Sequence, residues 1–162
     1  MFSPALLSLA KTVLDAARAK KLRIATAESC TGGLIAGLLT EIPGSSDVLE
    51  CGFVTYSNEA KEELLRVPKA LIREYGAVSE AVACAMAEGA VANSSAQLAV
   101  AVTGIAGPGG GTKLKPVGLV HVAAYRKGHQ TLHEEHRFGD IGRTQVRLKT
   151  VEAALELLRR LM

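Results

Sequence analysis

The sequence has no tryptophan, and aromatic residues make up only 4% of its 162 positions. Alanine and glycine are abundant instead. A chain with few large rings and many small side chains favours closely packed α/β layers over a β-sandwich. Cysteine is also sparse: Cys30, Cys51 and Cys84 are odd in number and form no Cys-x-x-Cys pair. That usage reads as reduced thiols in a cytoplasmic protein. No apolar run approaches the length of a membrane span, so no membrane partner is expected. The N-terminal "MFSPALLSLAKTVLDAARAKKLR" is no signal peptide, because its basic residues follow apolar ones that recur at helical spacing. A large charge excess is missing too. The net charge is +3, from 19 basic and 16 acidic residues, which gives no support for nucleic-acid binding. There is no internal repeat and no low-complexity linker, so residues 1–162 are expected to form one domain.

What is present is a well-punctuated alternation of strands and helices. Apolar spacing predicts a first helix over 4–20, and "LRIATAES" reads as a buried strand. "TGGLIAGLLTEI" reads as a helix stopped by Pro43-Gly44, and "VLECGFVTYS" as a second strand. A short helix over 58–65 follows. Pro68 is expected at the first position of another, which Gly76 ends. Ser79 caps an alanine-rich helix over 80–92, and "AQLAVAVTG" is an apolar strand. "VGLVHVAAYR" and "QTLHEEHRF" make a hairpin turning at Lys127-Gly128, and a helix over about 142–161 closes the chain. This order implies an α/β fold, a three-layer α/β/α sandwich with a mixed, mostly parallel sheet.

Ligands of open α/β sheets bind at the carboxyl ends of strands, and three strand ends here open into hydroxyl- or glycine-rich loops. The first is "AESCTGG". Ser29, Cys30 and Thr31 stand between a strand and a helix, where amides and hydroxyls stabilise an anion; equally, Ser29 or Thr31 could simply cap the helix. Cys30 reads as a small buried hydrophobe. The second is "VTYSNEAKEELL". With Ser57 or Asn58 as cap, Lys61 falls in the first helical turn, where the macrodipole disfavours a cation. A lysine so placed and partly buried has a depressed pKa and can act as a general base; an exposed lysine solvated among glutamates is the alternative. Tyr56 ends the same strand. The third, "VTGIAGPGGG", offers Thr103, Gly104 and several free amides that could nest an anion, or is merely a flexible loop. A fourth segment, "GDIGRTQVRLK", places Arg143 and Arg147 four apart, either as a paired phosphate grip or as a solvated basic face. His121, His129, His133 and His136 fall in the hairpin without a zinc-binding spacing, and no metal site is expected.

Together, "TAESCTGGLIAGLLTEIPGSSDVLECGFVTYSNEAK", "GAVSE", "VAVTGIAGPGGG" and "KPVGLVHVA" resemble the CinA C-terminal domain family, whose members include stand-alone nicotinamide-nucleotide amidases. The resemblance runs from about Leu6 to Leu158, and its central motifs are long and in order. It implies hydrolysis of the carboxamide of nicotinamide mononucleotide to nicotinate mononucleotide and ammonia, with no cofactor and no metal. It also implies Ser29 as nucleophile, Lys61 as general base and Tyr56 as a supporting hydrogen-bond donor. Thr31, Gly32, Thr103 and Gly104 would line the pocket, and Arg143 would hold the phosphate of a small-molecule nucleotide. Here the sequence reads Gly-Asp-Ile-Gly-Arg where some relatives have a shorter Gly-Asp-Arg. Many relatives carry a further N-terminal domain resembling molybdopterin-binding proteins, and its activities are not carried over. The alternative is a non-catalytic nucleotide-binding regulatory domain of a competence/damage-inducible protein. A homo-oligomer is expected in either case.

Overall fold

Ser3 opens the first helix: its hydroxyl accepts the Leu6 amide, and Pro4 occupies the first turn, where no amide donor is needed. The computed structural model describes all 162 residues. In chain order it contains α1 (Pro4–Ala19), β1 (Ile24–Glu28), α2 (Leu34–Thr40), β2 (Leu49–Val54), α3 (Asn58–Leu65) and α4 (Lys69–Tyr75). These are followed by α5 (Glu80–Ala92), β3 (Leu98–Gly104), β4 (Leu119–Arg126), β5 (Leu132–Arg137) and α6 (Arg143–Arg159). Ser57 caps α3 and Ser79 caps α5, each hydroxyl accepting an amide three residues on. Pro68 stands at the cap of α4 and not at its first helical position, and α2 begins at Leu34, later than the sequence suggested.

The five strands form one mixed sheet in the order β2-β1-β3-β4-β5. β1 pairs in parallel with β2 and β3, while β4 is antiparallel to both β3 and β5. Four strands therefore share a direction, and β4 alone opposes them. Helices α1, α2 and α6 cover one face, and α3, α4 and α5 the other, giving the three layers.

The two faces differ in bulk. Towards α1, α2 and α6 the central strands present Ile24, Leu98, Val100, Val102, Val120 and Val122. Towards α5 they present Ala25, Ala27, Ala99, Ala101 and Ala123. Small residues on this second face let α5 lie close to the sheet. α3 in turn seats against α5 at Gly89: a Cβ at that position would stand 2.0 Å from the Leu65 carbonyl oxygen. Only glycine allows that approach.

The hairpin histidines separate into two contacts. His121 Nδ1 lies 2.9 Å from His133 Nε2 with the rings stacked, whereas His136 bonds Glu134. Burial, then the neighbouring His133, holds the His121 imidazole below its ordinary value; Lys115 acts the same way, and Glu135 and Glu80 oppose it. Because the folded-state pKa is depressed, the associated stability is present above about pH 6.5 and lost as pH falls through the folded value. The thermal midpoint is expected to fall on acidification from about pH 7 to about pH 5, less steeply in His121→Gln. Equal slopes in the two proteins would refute the assignment.

Candidate active site

Glu28, which ends β1, and Ser29, which follows it, face opposite layers. The ladder extends past the strand, with the Thr55 amide donating to Glu28 O at 2.9 Å and the Ser29 amide to Val102 O at 3.1 Å. Side chains alternate along a strand, so Glu28 points to α2 and Ser29 to α3. Glu28 is fully buried. Its carboxylate accepts the Ile35 and Ala36 amides at 2.8 and 3.1 Å and the Thr31 hydroxyl at 2.7 Å. An anion that takes up the free amides of a helix N-terminus is favourably placed in the macrodipole. The helix cap is therefore Glu28, not Ser29 or Thr31. The one signal of this in the sequence is an acid closing a buried strand.

On the other face, Ser29 meets Lys61. Lys61 lies in the first turn of α3 and is 1% exposed. Its Nζ is 3.0 Å from Ser29 Oγ, 2.8 Å from Thr55 O and 3.5 Å from Tyr56 O. No carboxylate is among these partners. A neutral amine has two N–H donors for the two carbonyls and one lone pair for the Ser29 hydroxyl proton. Burial lowers the Lys61 pKa from its ordinary range, with Cys30 opposing weakly. The amine thus faces the serine in a setting that shifts it towards its unprotonated form.

Cys30 is unsuited to nucleophilic work. Burial pushes its thiol up to about 12, and its side chain belongs to the core under α2 and α6. Thiolate is the reactive species, so this thiol is inert at neutral pH.

A cleft of about 290 Å³ opens over the pair, a size for a small molecule. Ser29, Lys61, Tyr56, Thr103, Gly104 and Arg143 all line it. Thr103 donates its hydroxyl to Ala77 O, which ties the end of β3 to the segment before α5. The Tyr56 phenol accepts from Arg143 Nη2 at 3.1 Å, and Lys61 meets Tyr56 only at its backbone carbonyl. Arg143 also donates to Gly107 O at 2.7 Å, which places its charge at the glycine-rich loop. Thr31 and Gly32, expected in the pocket wall, are not among the lining residues. The Thr31 hydroxyl is committed to Glu28, and Gly32 packs towards Arg147. Arg143 and Arg147 do not form a joint grip either, since Arg147 reaches behind the serine to the carbonyls of Cys30 and Thr31. Asn58 and Ile105 line the cleft as well, and residue pattern alone did not single them out.

Comparison with known proteins places this chain among relatives. A family model described as the CinA C-terminal domain matches residues 6–162. A CinA-like protein of Akkermansia muciniphila is 54% identical over 134 residues, covering 83% of this chain and 32% of the relative. A CinA-like protein of Synechococcus sp. is 50% identical over 153 residues, covering 94% and 36%. The chain thus spans about a third of the length of the curated relatives it matches. Among solved structures, the competence/damage inducible protein CihA from Agrobacterium tumefaciens superposes with a TM-score of 0.97 at 53% identity, over 99% of this chain and 98% of that one. A CinA superfamily protein from Escherichia coli gives 0.92 at 34% identity, over 100% and 94%.

Proposed function

This chain belongs to the CinA C-terminal domain family, and on that footing we propose that it hydrolyses the carboxamide of nicotinamide mononucleotide. The products are nicotinate mononucleotide and ammonia. The observation that carries this reading is the 3.0 Å contact between Ser29 Oγ and a buried Lys61 Nζ with no carboxylate partner. Neutral Lys61 takes the hydroxyl proton as Oγ adds to the amide carbon. The resulting ammonium then protonates the leaving nitrogen, and ammonia departs from a Ser29 ester. Water next attacks the ester, giving a proton to Lys61, and nicotinate mononucleotide leaves as that proton returns to Oγ. The phosphate is held by Arg143 beside the glycine-rich loop, and Tyr56 offers its phenol near the same end of the cleft.

The direct test incubates the purified protein with nicotinamide mononucleotide and measures ammonia and nicotinate mononucleotide together. Equimolar formation of both supports the amidase. One second reading is a nucleotide-binding regulatory domain, in keeping with the competence/damage inducible name of the Agrobacterium tumefaciens relative. Tight binding with no ammonia would establish that reading and exclude the first.

Arg143 has its own prediction. Loss of a charge-assisted contact to phosphate is worth about 1.5–3 kcal/mol, so Arg143→Ala should weaken nucleotide binding roughly 10- to 100-fold. Binding of the dephosphorylated riboside, measured by calorimetry, should hardly change. Equal losses for nucleotide and riboside would remove Arg143 from the phosphate site.

A further inference from the structure

Ser29 has a threonine on each side of it in the sheet. The last residue of β1, Glu28, pairs with Val54 on one side and Val102 on the other. One step further along the same register stand Thr55, Ser29 and Thr103. Side chains in register share a face, so both threonines point to the layer that holds Lys61. Their hydroxyls differ. Thr103 donates to Ala77 O, whereas Thr55 Oγ1 is fully buried and has no partner in the protein. A buried hydroxyl without a partner is costly, and in a native structure it calls for a reason.

The Lys61 amine lies between the two residues of the Ser29–Thr55 pair, with Nζ 3.0 Å from Ser29 Oγ and 2.8 Å from Thr55 O. Its third contact, Tyr56 O at 3.5 Å, is at the outer limit of a hydrogen bond. Cys30 is the titratable side chain that acts on Lys61, and Arg143 lines the same cleft. As a neutral amine Lys61 has two N–H groups, which Thr55 O and the weak Tyr56 contact accommodate. Taking the Ser29 proton adds a third N–H and a positive charge, while Oγ turns its lone pair to the substrate carbon. Thr55 O is then the one strong acceptor left to the ammonium. The hydroxyl of the same residue is in the same layer, with both lone pairs free. Resting on the amidase reading above, we infer that Thr55 is a positioning residue acting through Lys61: its hydroxyl is the acceptor held in reserve for the ammonium formed when Ser29 attacks. A group unpartnered in the resting protein and partnered in the transition state acts on kcat and not on substrate binding.

The experiment compares wild type, Thr55→Val, Thr55→Ser and Thr26→Val in kcat, the pH profile of kcat/KM and thermal midpoint. The titration of Lys61 is followed separately by NMR of isotope-labelled lysine. Thr55→Val replaces an unpartnered hydroxyl by a methyl of the same shape, so the thermal midpoint should hold or rise. On the high-pH plateau kcat should nonetheless fall about 10-fold. The Lys61 inflection should move to lower pH, because the charged form loses an acceptor. Thr55→Ser keeps the hydroxyl and should restore both. Thr26 is the control: its hydroxyl is equally buried and unpartnered, but lies on the face of β1 towards α2. Thr26→Val should change neither kcat nor the inflection. Unchanged kcat and inflection in Thr55→Val would overturn the inference, as would equal losses in Thr26→Val. Thr55→Ala removes the same hydroxyl and keeps the test available if the valine variant fails to fold. Should wild type release no ammonia, the amidase reading fails by itself, and the Lys61 titration still decides the role of Thr55.

Discussion

Ser29→Ala is expected to lower the kcat for ammonia release from nicotinamide mononucleotide by on the order of 10⁴-fold or more. The substitution removes the only atom positioned both to attack a bound amide and to hand its proton to Lys61. Lys61→Ala should fall as far, because a serine hydroxyl without a base is a weak nucleophile. The double variant should be no worse than either alone, since members of one catalytic unit are not additive. Lys61→Arg should not rescue, as a guanidinium stays protonated and offers no lone pair. The pH profile carries the same signature. Lys61 is lowered by burial, so kcat/KM should rise with pH through an inflection below the ordinary lysine value near 10.5. Substantial turnover in Ser29→Ala, with folding intact by circular dichroism, would end the dyad proposal.

The second large effect lies away from the cleft. Gly89→Ala ought to stabilise a helix interior by up to about 1 kcal/mol on propensity alone. Here the sign reverses. The added Cβ would meet Leu65 O at 2.0 Å and Leu65 C at 3.0 Å, and these are backbone atoms with no rotamer to yield. Overpacking of this kind costs about 1–3 kcal/mol and sometimes more, so a net loss of roughly 2 kcal/mol is expected in urea unfolding. Leu65 closes α3 one turn beyond Lys61. Pushing α3 off α5 should therefore move Nζ from Ser29 and reduce kcat by about 10- to 100-fold under conditions where the variant is folded. A variant as stable as wild type would show that α3 relaxes without strain.

Most of the architecture was legible because punctuation and periodicity agree. Ser57 and Ser79 announce α3 and α5, and largely apolar runs announce β1 and β3. The junction of β1 and α2 was less legible. Two glycines in left-handed conformation, Gly32 and Gly33, delay the helix to Leu34, and the cap is supplied from the preceding strand. Local capping rules look for a hydroxyl at the boundary itself and miss a carboxylate reaching forward seven residues. The same limit applies to Arg147. Its spacing from Arg143 is helical and suggests cooperation, yet Arg143 reaches Gly107 and Tyr56 at the cleft while Arg147 reaches the carbonyls of Cys30 and Thr31. Helical spacing reports a shared face, and only the way α6 is seated against the sheet and the loops decides what each residue meets. Gly89 gave no sign at all, since its reason is a contact with a distant helix.

The alternation at the end of β1 also limits how this protein can vary. Glu28 and Ser29 are neighbours in the chain, but one anchors a helix and the other faces the cleft. Inserting or deleting a single residue in β1 would exchange their faces, sending the carboxylate to Lys61 and the hydroxyl to α2. The lysine would then gain a counter-ion and stay protonated, while α2 would lose its anchor. Length changes here damage both roles at once, so this strand can drift in side-chain identity but not in residue count. Any tolerated insertion must come in pairs, or lie beyond the glycines.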